Sequence, residues 1–279
     1  MYEQEQRGLR DTGNVYSFDP DTIRNKIERI SFCNKWWLID RFDISKVKNF
    51  KKTSLCKDKF CNNCKKVKQS QRMAKYIPEL EKYKEKLYHL VLTVPNVSGD
   101  DLKSTIIKLS KSFRKLMYYI RGDRVIKGYE WLQSIGYMGA IRSFEVTYKE
   151  DIYHPHYHIG IVLDSEELDK FKKKYINSYS YSYGELKNYF SDIEILIQKL
   201  WYLIWNGIRI TASNIDNLNE GYSCKLDKFK EYEYQELFKY LVKGQDDNTD
   251  NFKYENFKVL YESLYRVKQI QGYGCLYKI

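Results

Sequence analysis

The stretch FEVTYKEDIYHPHYHIGIV, Phe144 to Val162, places three of the chain's four histidines within five positions of one apolar run. Alternating apolar residues on both sides of a short polar turn predict two antiparallel strands, MGAIRSFEVTY and HYHIGIVL, joined through Lys149–Tyr153. Successive side chains on a strand point to opposite faces. His154, His156 and His158 therefore share one face, and Tyr157, Ile159, Ile161 and Leu163 share the other. Pro155 cannot donate to a sheet ladder, so it belongs at a strand start or on an edge. Folding the hairpin back sets Glu145 opposite His156 or His158. Two imidazole nitrogens and one carboxylate oxygen, with positions left open, suit manganese or magnesium bound together with a phosphate group.

Outward from the hairpin the patterns are regular. LYHLVLTVPN reads as a strand ended by Pro95, DDLKSTIIKLSKSFRKLMYYI as an amphipathic helix and SDIEILIQKLWYLIW as a second helix. GIRITASNID reads as a strand, and FKEYEYQELFKYLVK as a helix stopped by Gly244. The order β, α, β, β, α, β, α predicts an α+β domain: a central, largely antiparallel sheet with helices on one face. YINSYSYSYGELKNY reads as a surface loop. DTIRNKIERI reads as a short helix with Asp21 as its N-cap, inside an N-terminal arm of residues 1–30.

Residues 31–78 lack periodicity but hold Cys33 and the spacing Cys56-x4-Cys61-x2-Cys64. Three thiolates within nine positions point to tetrahedral zinc, with Cys33 as the natural fourth ligand and His89 as its alternative. Four protein ligands close such a site, so its role is to fasten the fold. Cys224 and Cys275 stand alone and read as structural. The chain has 279 residues, 48 Lys+Arg against 37 Asp+Glu and a net charge of +11, which favours a polyanionic partner such as nucleic acid. No apolar run approaches the roughly 18–20 residues of a membrane span. The expectation is a cytoplasmic protein whose cysteines stay reduced. The limits expected are an arm (1–30), a cysteine-rich zinc and DNA-contact region (31–78) and the α+β domain (79–279).

In QELFKYLVKG, helical spacing gathers Tyr234, Leu237, Phe238 and Leu241 into one apolar stripe. It sets Glu236, Tyr240 and Lys243 at i, i+4 and i+7 on the other face. A tyrosine between a carboxylate and a lysine is a candidate nucleophile, although an ordinary charged helix face has the same spacing.

The succession LYHLVLTVPN, FEVTYKEDIYHPHYHIGIV and ELFKYLVKG, behind Cys56-x4-Cys61-x2-Cys64, resembles the rolling-circle replication initiators of small Gram-positive plasmids, members of the HUH endonuclease superfamily. The resemblance spans roughly residues 31 to 275. It implies that His156, His158 and Glu145 hold the catalytic divalent ion, that Tyr240 is the nucleophile, and that Glu236 activates water at termination while Lys243 steadies charge. The sequence carries Leu241 and Gly244 where relatives often have a proline and an acidic residue. Implied partners are plasmid origin DNA, single-stranded or as an extruded hairpin, and, because no G-x-x-x-x-G-K-[ST] phosphate loop occurs, a host helicase, together with a polymerase and a single-strand-binding protein. Oligomers are compatible with this reading, and no membrane is involved. The basic run Lys65–Lys75 and Trp36 and Trp37 are candidates for backbone contact and base stacking. Two rivals are a single-tyrosine HUH transposase or phage initiator, and a non-catalytic zinc-bearing DNA-binding regulator.

Overall fold

A computed structural model describes residues 19–42, 47–164, 174–175, 189–218, 221–222, 224–238, 242–244 and 253–277. Two compact units emerge: residues 1–71 with 246–266, and residues 72–245 with 267–279.

In the first unit, helix α1 (Pro20–Ser31) starts two residues earlier than expected. Asp19 is its N-cap, and its side chain accepts the Thr22 N–H. Strands β1 (Trp37–Phe42) and β2 (Val47–Thr53) form an antiparallel hairpin. Helix α2 (Asn62–Glu81) opens in this unit and runs through the basic stretch Lys65–Lys75, where the sequence shows no clear periodicity. A late helix, α7 (Tyr254–Ser263), brings Phe257 and Tyr261 against Phe60, with ring centroids 5.3 and 5.9 Å away. Asp58 accepts the Phe60 N–H and lies 2.7 Å from the Lys26 ammonium.

The second unit is the α+β domain expected. Strand β3 (Leu87–Thr93) is followed by the short β4 (Val97–Ser98) and the long helix α3 (Gly99–Ile120). The hairpin β5 (Tyr137–Lys149) and β6 (Ile152–Leu163) comes next. A small pair, β7 (Lys174–Tyr175) with β8 (Tyr189–Phe190), precedes helices α4 (Asp192–Trp205) and α5 (Ala212–Asp216). Strand β9 (Cys224–Lys228), helix α6 (Glu233–Leu237) and strand β10 (Val242–Gly244) follow, and β11 (Ile270–Gly274) closes the sheet. Sheet order is β10-β5-β6-β3-β9, with β11 also on β5 and β4 on β6. All pairs are antiparallel except β10, which runs parallel to β5 with Val242 opposite Val146.

Alternation along the central strands divides the core. On one face Tyr157 meets both Phe144 of β5 and Phe113 of α3, with ring centroids 5.5 and 5.3 Å away. Helix α4 is fixed beside the sheet by buried polar groups. Trp201 Nε1 donates to Thr93 O, Gln198 donates to Cys224 O, and Glu194 Oε1 accepts the Leu226 N–H at 2.9 Å. On the other face Leu87, Ile141 and Val162 meet Leu80 of α2 and Tyr234, Leu237 and Phe238. Gly160 permits that approach, since a Cβ there would stand 3.2 Å from Ile141 and 3.3 Å from Leu237.

Two sequence expectations fail here. GIRITASNID is not a strand: it is irregular chain leading into α5, whose N-cap Thr211 accepts the Asn214 N–H. The helix expected over 229–243 is confined to Glu233–Leu237, and Val242–Gly244 instead pairs with β5. Pairing of this short segment with β5 has overridden helical periodicity. Most of YINSYSYSYGELKNY lies outside the described residues.

Candidate functional site

Strand register builds the site. Glu145 stands directly opposite His156, and Ser143 opposite His158, so the carboxylate faces one imidazole and is diagonal to the next. Pro155 sits within β6 where that strand lacks a neighbour on its β3 flank. Pairing with β3 begins at His156 and with β4 at Tyr153. The Glu145 Oε2 atom is 3.5 Å from His156 Nε2 and 3.3 Å from His158 Nε2, and the two Nε2 atoms are 3.1 Å apart. Neighbouring ligands on an octahedral ion with bonds of about 2.1 Å stand roughly 3 Å apart. The three atoms thus fit one face of such an ion. His156 Nδ1 lies 3.1 Å from His154 O and donates to it when Nε2 serves as ligand.

Electrostatics agree with that geometry. Burial pushes the Glu145 carboxyl upward, but hydrogen bonding and charge from His156 and His158 prevail and bring it down to about 2. His154 takes no part in the triad. Its Nδ1 is 2.7 Å from Asn96 Oδ1, and burial, reinforced by His156, holds the imidazole at about 4.

A fourth imidazole adjoins the triad. His89, on β3, presents Nε2 3.2 Å from His158 Nδ1 and Nδ1 2.8 Å from Glu233 Oε1 on α6. The other Glu233 oxygen accepts the Lys230 N–H at 2.6 Å. Burial keeps His89 below the ordinary imidazole range despite Glu233, and the charge of Glu236 also falls on it. Glu233 was not foreseen, and His89 was considered only as a zinc ligand. A polar side chain at a buried, alternating position of β3 was the signal available.

Glu236 is half-buried on α6. Tyr240 lies outside the described residues, and Lys243 falls in β10, so the helix face expected to join Glu236 to Lys243 is absent.

In the first unit Cys33, Cys56, Cys61 and Cys64 converge, with sulfur atoms of Cys33 and Cys64 3.6 Å apart and those of Cys56 and Cys64 3.7 Å apart. Ligands on tetrahedral zinc with Zn–S of about 2.3 Å are separated by about 3.8 Å, so this set fits. The Cys56 N–H donates to Cys33 Sγ and the Lys57 N–H to Cys64 Sγ. The positive φ of 60° at Lys57 supports that turn. Cys224 is buried and Cys275 exposed.

The family Rep_1, described as replication protein, matches residues 47–182, which include the whole β5–β6 hairpin. A Staphylococcus aureus protein named Protein rep is 29% identical over 233 residues, 80% of this chain and 84% of that protein. A Streptococcus pneumoniae Protein rep is 27% identical over 259 residues, 90% of this chain and 70% of that protein. A Bacillus relative of the same name is 35% identical over 89 residues, 31% of this chain and 24% of that protein. No solved structure matches. An α+β sheet carrying a histidine–glutamate hairpin, together with these matches, likens the chain to replication proteins. Over these spans the chain is similar to Rep replication proteins of Gram-positive bacteria.

Proposed function

We propose that the chain starts rolling-circle replication by nicking its plasmid origin as an HUH-type endonuclease and strand transferase. Glu145, His156 and His158 hold a manganese or magnesium ion, which supplies electrophilic polarisation of the scissile phosphate. The Tyr240 oxygen attacks phosphorus, the bond to the 3′ oxygen breaks, and a 5′-phosphotyrosine and a free 3′-hydroxyl remain. That hydroxyl primes a host polymerase. When the displaced strand returns, Glu236 takes a proton from the water that cuts it to a 5′-phosphate and a 3′-hydroxyl; that hydroxyl attacks the phosphotyrosine, the bond to Tyr240 breaks and its oxygen regains a proton, so one tyrosine suffices. Lys243 steadies charge at the phosphate.

The observation that carries the reading is the triad on β5–β6, with β10 laid along β5 next to Glu145. The cysteine set in the 31–78 region holds structural zinc, and the exposed Trp36 offers a stacking surface for origin DNA in single-stranded or extruded form. A host helicase and single-strand-binding protein complete the cytoplasmic reaction. No helix among the described residues is long and apolar enough to cross a membrane.

The test is direct. Purified protein, Mn2+ and a labelled oligonucleotide from the replicon's own origin should give a covalent adduct that survives denaturation and disappears in Tyr240→Phe. An adduct of undiminished yield in that variant would remove Tyr240 from the role. No adduct on any origin oligonucleotide would favour the DNA-binding regulator.

A further inference from the structure

The two ligand imidazoles are oriented by different means. His156 has a backbone carbonyl on its Nδ1, whereas His158 has another side chain, His89, which in turn meets a carboxylate. The His89 and His158 ring centroids are 5.3 Å apart, close to the largest separation two imidazoles with a 3.2 Å N···N contact can have. The nitrogens therefore meet edge to edge, in the direction of an N–H and a lone pair. With His158 Nε2 committed to an ion, its Nδ1 carries the proton and donates to His89 Nε2. His89 Nε2 must then be bare, so the His89 proton sits on Nδ1 and is donated to Glu233 Oε1. Glu233 is itself held by the Lys230 N–H. Every member of this chain has one compatible proton arrangement.

We infer that His89 and Glu233 are positioning residues for the nicking-site ion, forming a carboxylate–imidazole–imidazole relay that fixes the tautomer and ring plane of His158. The inference rests on the triad holding the ion. It gives α6 a second part in the site: the helix that presents Glu236 also supplies, one turn earlier, the carboxylate that steadies a metal ligand. Partners of this kind typically change metal affinity 10–100-fold when removed.

The experiment uses the full-length, zinc-loaded chain and free Mn2+ followed by electron paramagnetic resonance. His89→Phe should weaken Mn2+ binding about 10–100-fold. His89→Gln, whose amide oxygen can accept from His158 Nδ1, should recover most of the affinity. Glu233→Ala should fall between them. Thermal unfolding without Mn2+ should not follow this order, as it would if the residues only packed. Nitrogen-15 imidazole spectra of the Mg2+-loaded wild type should show protons on Nδ1 of both His89 and His158. Unchanged Mn2+ affinity in His89→Phe, or a His89 proton on Nε2, would overturn the relay and leave the triad standing. A wild type that binds no Mn2+ would remove the triad reading and the relay with it.

Discussion

Glu145 and His154 lie on neighbouring strands, yet both lose protons more readily in the folded chain than in the unfolded one. The carboxyl is held at about 2 against an ordinary 4.5, and the imidazole at about 4 against 6.5. For both groups the unfolded state binds protons first on acidification, so stability falls as pH falls. The His154 contribution is complete above pH 6.5 and is lost toward pH 4; that of Glu145 is complete above 4.5 and is lost toward 2. After a discount for partial exposure, His154 accounts for about 2 kcal/mol. Urea midpoints of the metal-free protein should decline between pH 7 and 4.5, and His154→Gln, which can keep the Asn96 contact, should flatten that decline. An equal decline in the variant would refute the assignment. Glu145→Gln, by contrast, removes the charged group of the proposed ligand set and should lower Mn2+ affinity at least about 10-fold at pH 7, measured by the same resonance titration.

Among elements, the β5–β6 hairpin was the most legible, because long alternating strands state both the pairing and the face; the sequence left Glu145 opposite His156 or His158, and the register selects His156. Strand β9 was not legible. CKLDK looks like a charged loop, and its extended form comes from pairing with β3 and from the buried Glu194 accepting Leu226 N–H. GIRITASNID looked like a strand, but a threonine cap and the burial of Ile215 turned its second half into helix. The site was therefore readable where it rests on β5–β6 and unreadable where it depends on distant partners, as His89 does on Glu233. Close approach of α6 to the sheet yields a prediction. Gly160→Val would drive a branched side chain into Ile141 and Leu237, costing about 1–3 kcal/mol in urea unfolding. It should also depress adduct formation by moving α6, whereas Gly160→Ala needs only a few tenths of an ångström of give and should leave activity within about threefold.

For the molecule as a whole, the +11 charge and the four-cysteine cluster set the behaviour to be measured. If about five phosphates of a single-stranded origin are neutralised, affinity should drop roughly 100-fold between 50 and 200 mM salt. A filter-binding series that stays flat would show that charge does not drive DNA binding. One zinc per chain should be released by a mercurial thiol reagent, and Cys61→Ser should abolish it. Because metal binding and folding are linked, zinc loss should expose residues 37–53 of the first unit to protease. Unaltered cleavage would mean that the hairpin stands without the metal.

The outer border of β5 is occupied twice, by β11 along Gly139–Ser143 and by β10 along Val146–Tyr148. At the opposite border β9 is only five residues long and exposes Lys225 and Lys228. A sheet bounded in this way offers little purchase to a foreign strand, since short, lysine-bearing or occupied borders resist chain-to-chain stacking. Concentrated solutions should thus stay free of fibrillar assembly even though the interior strands are rich in isoleucine, valine and tyrosine.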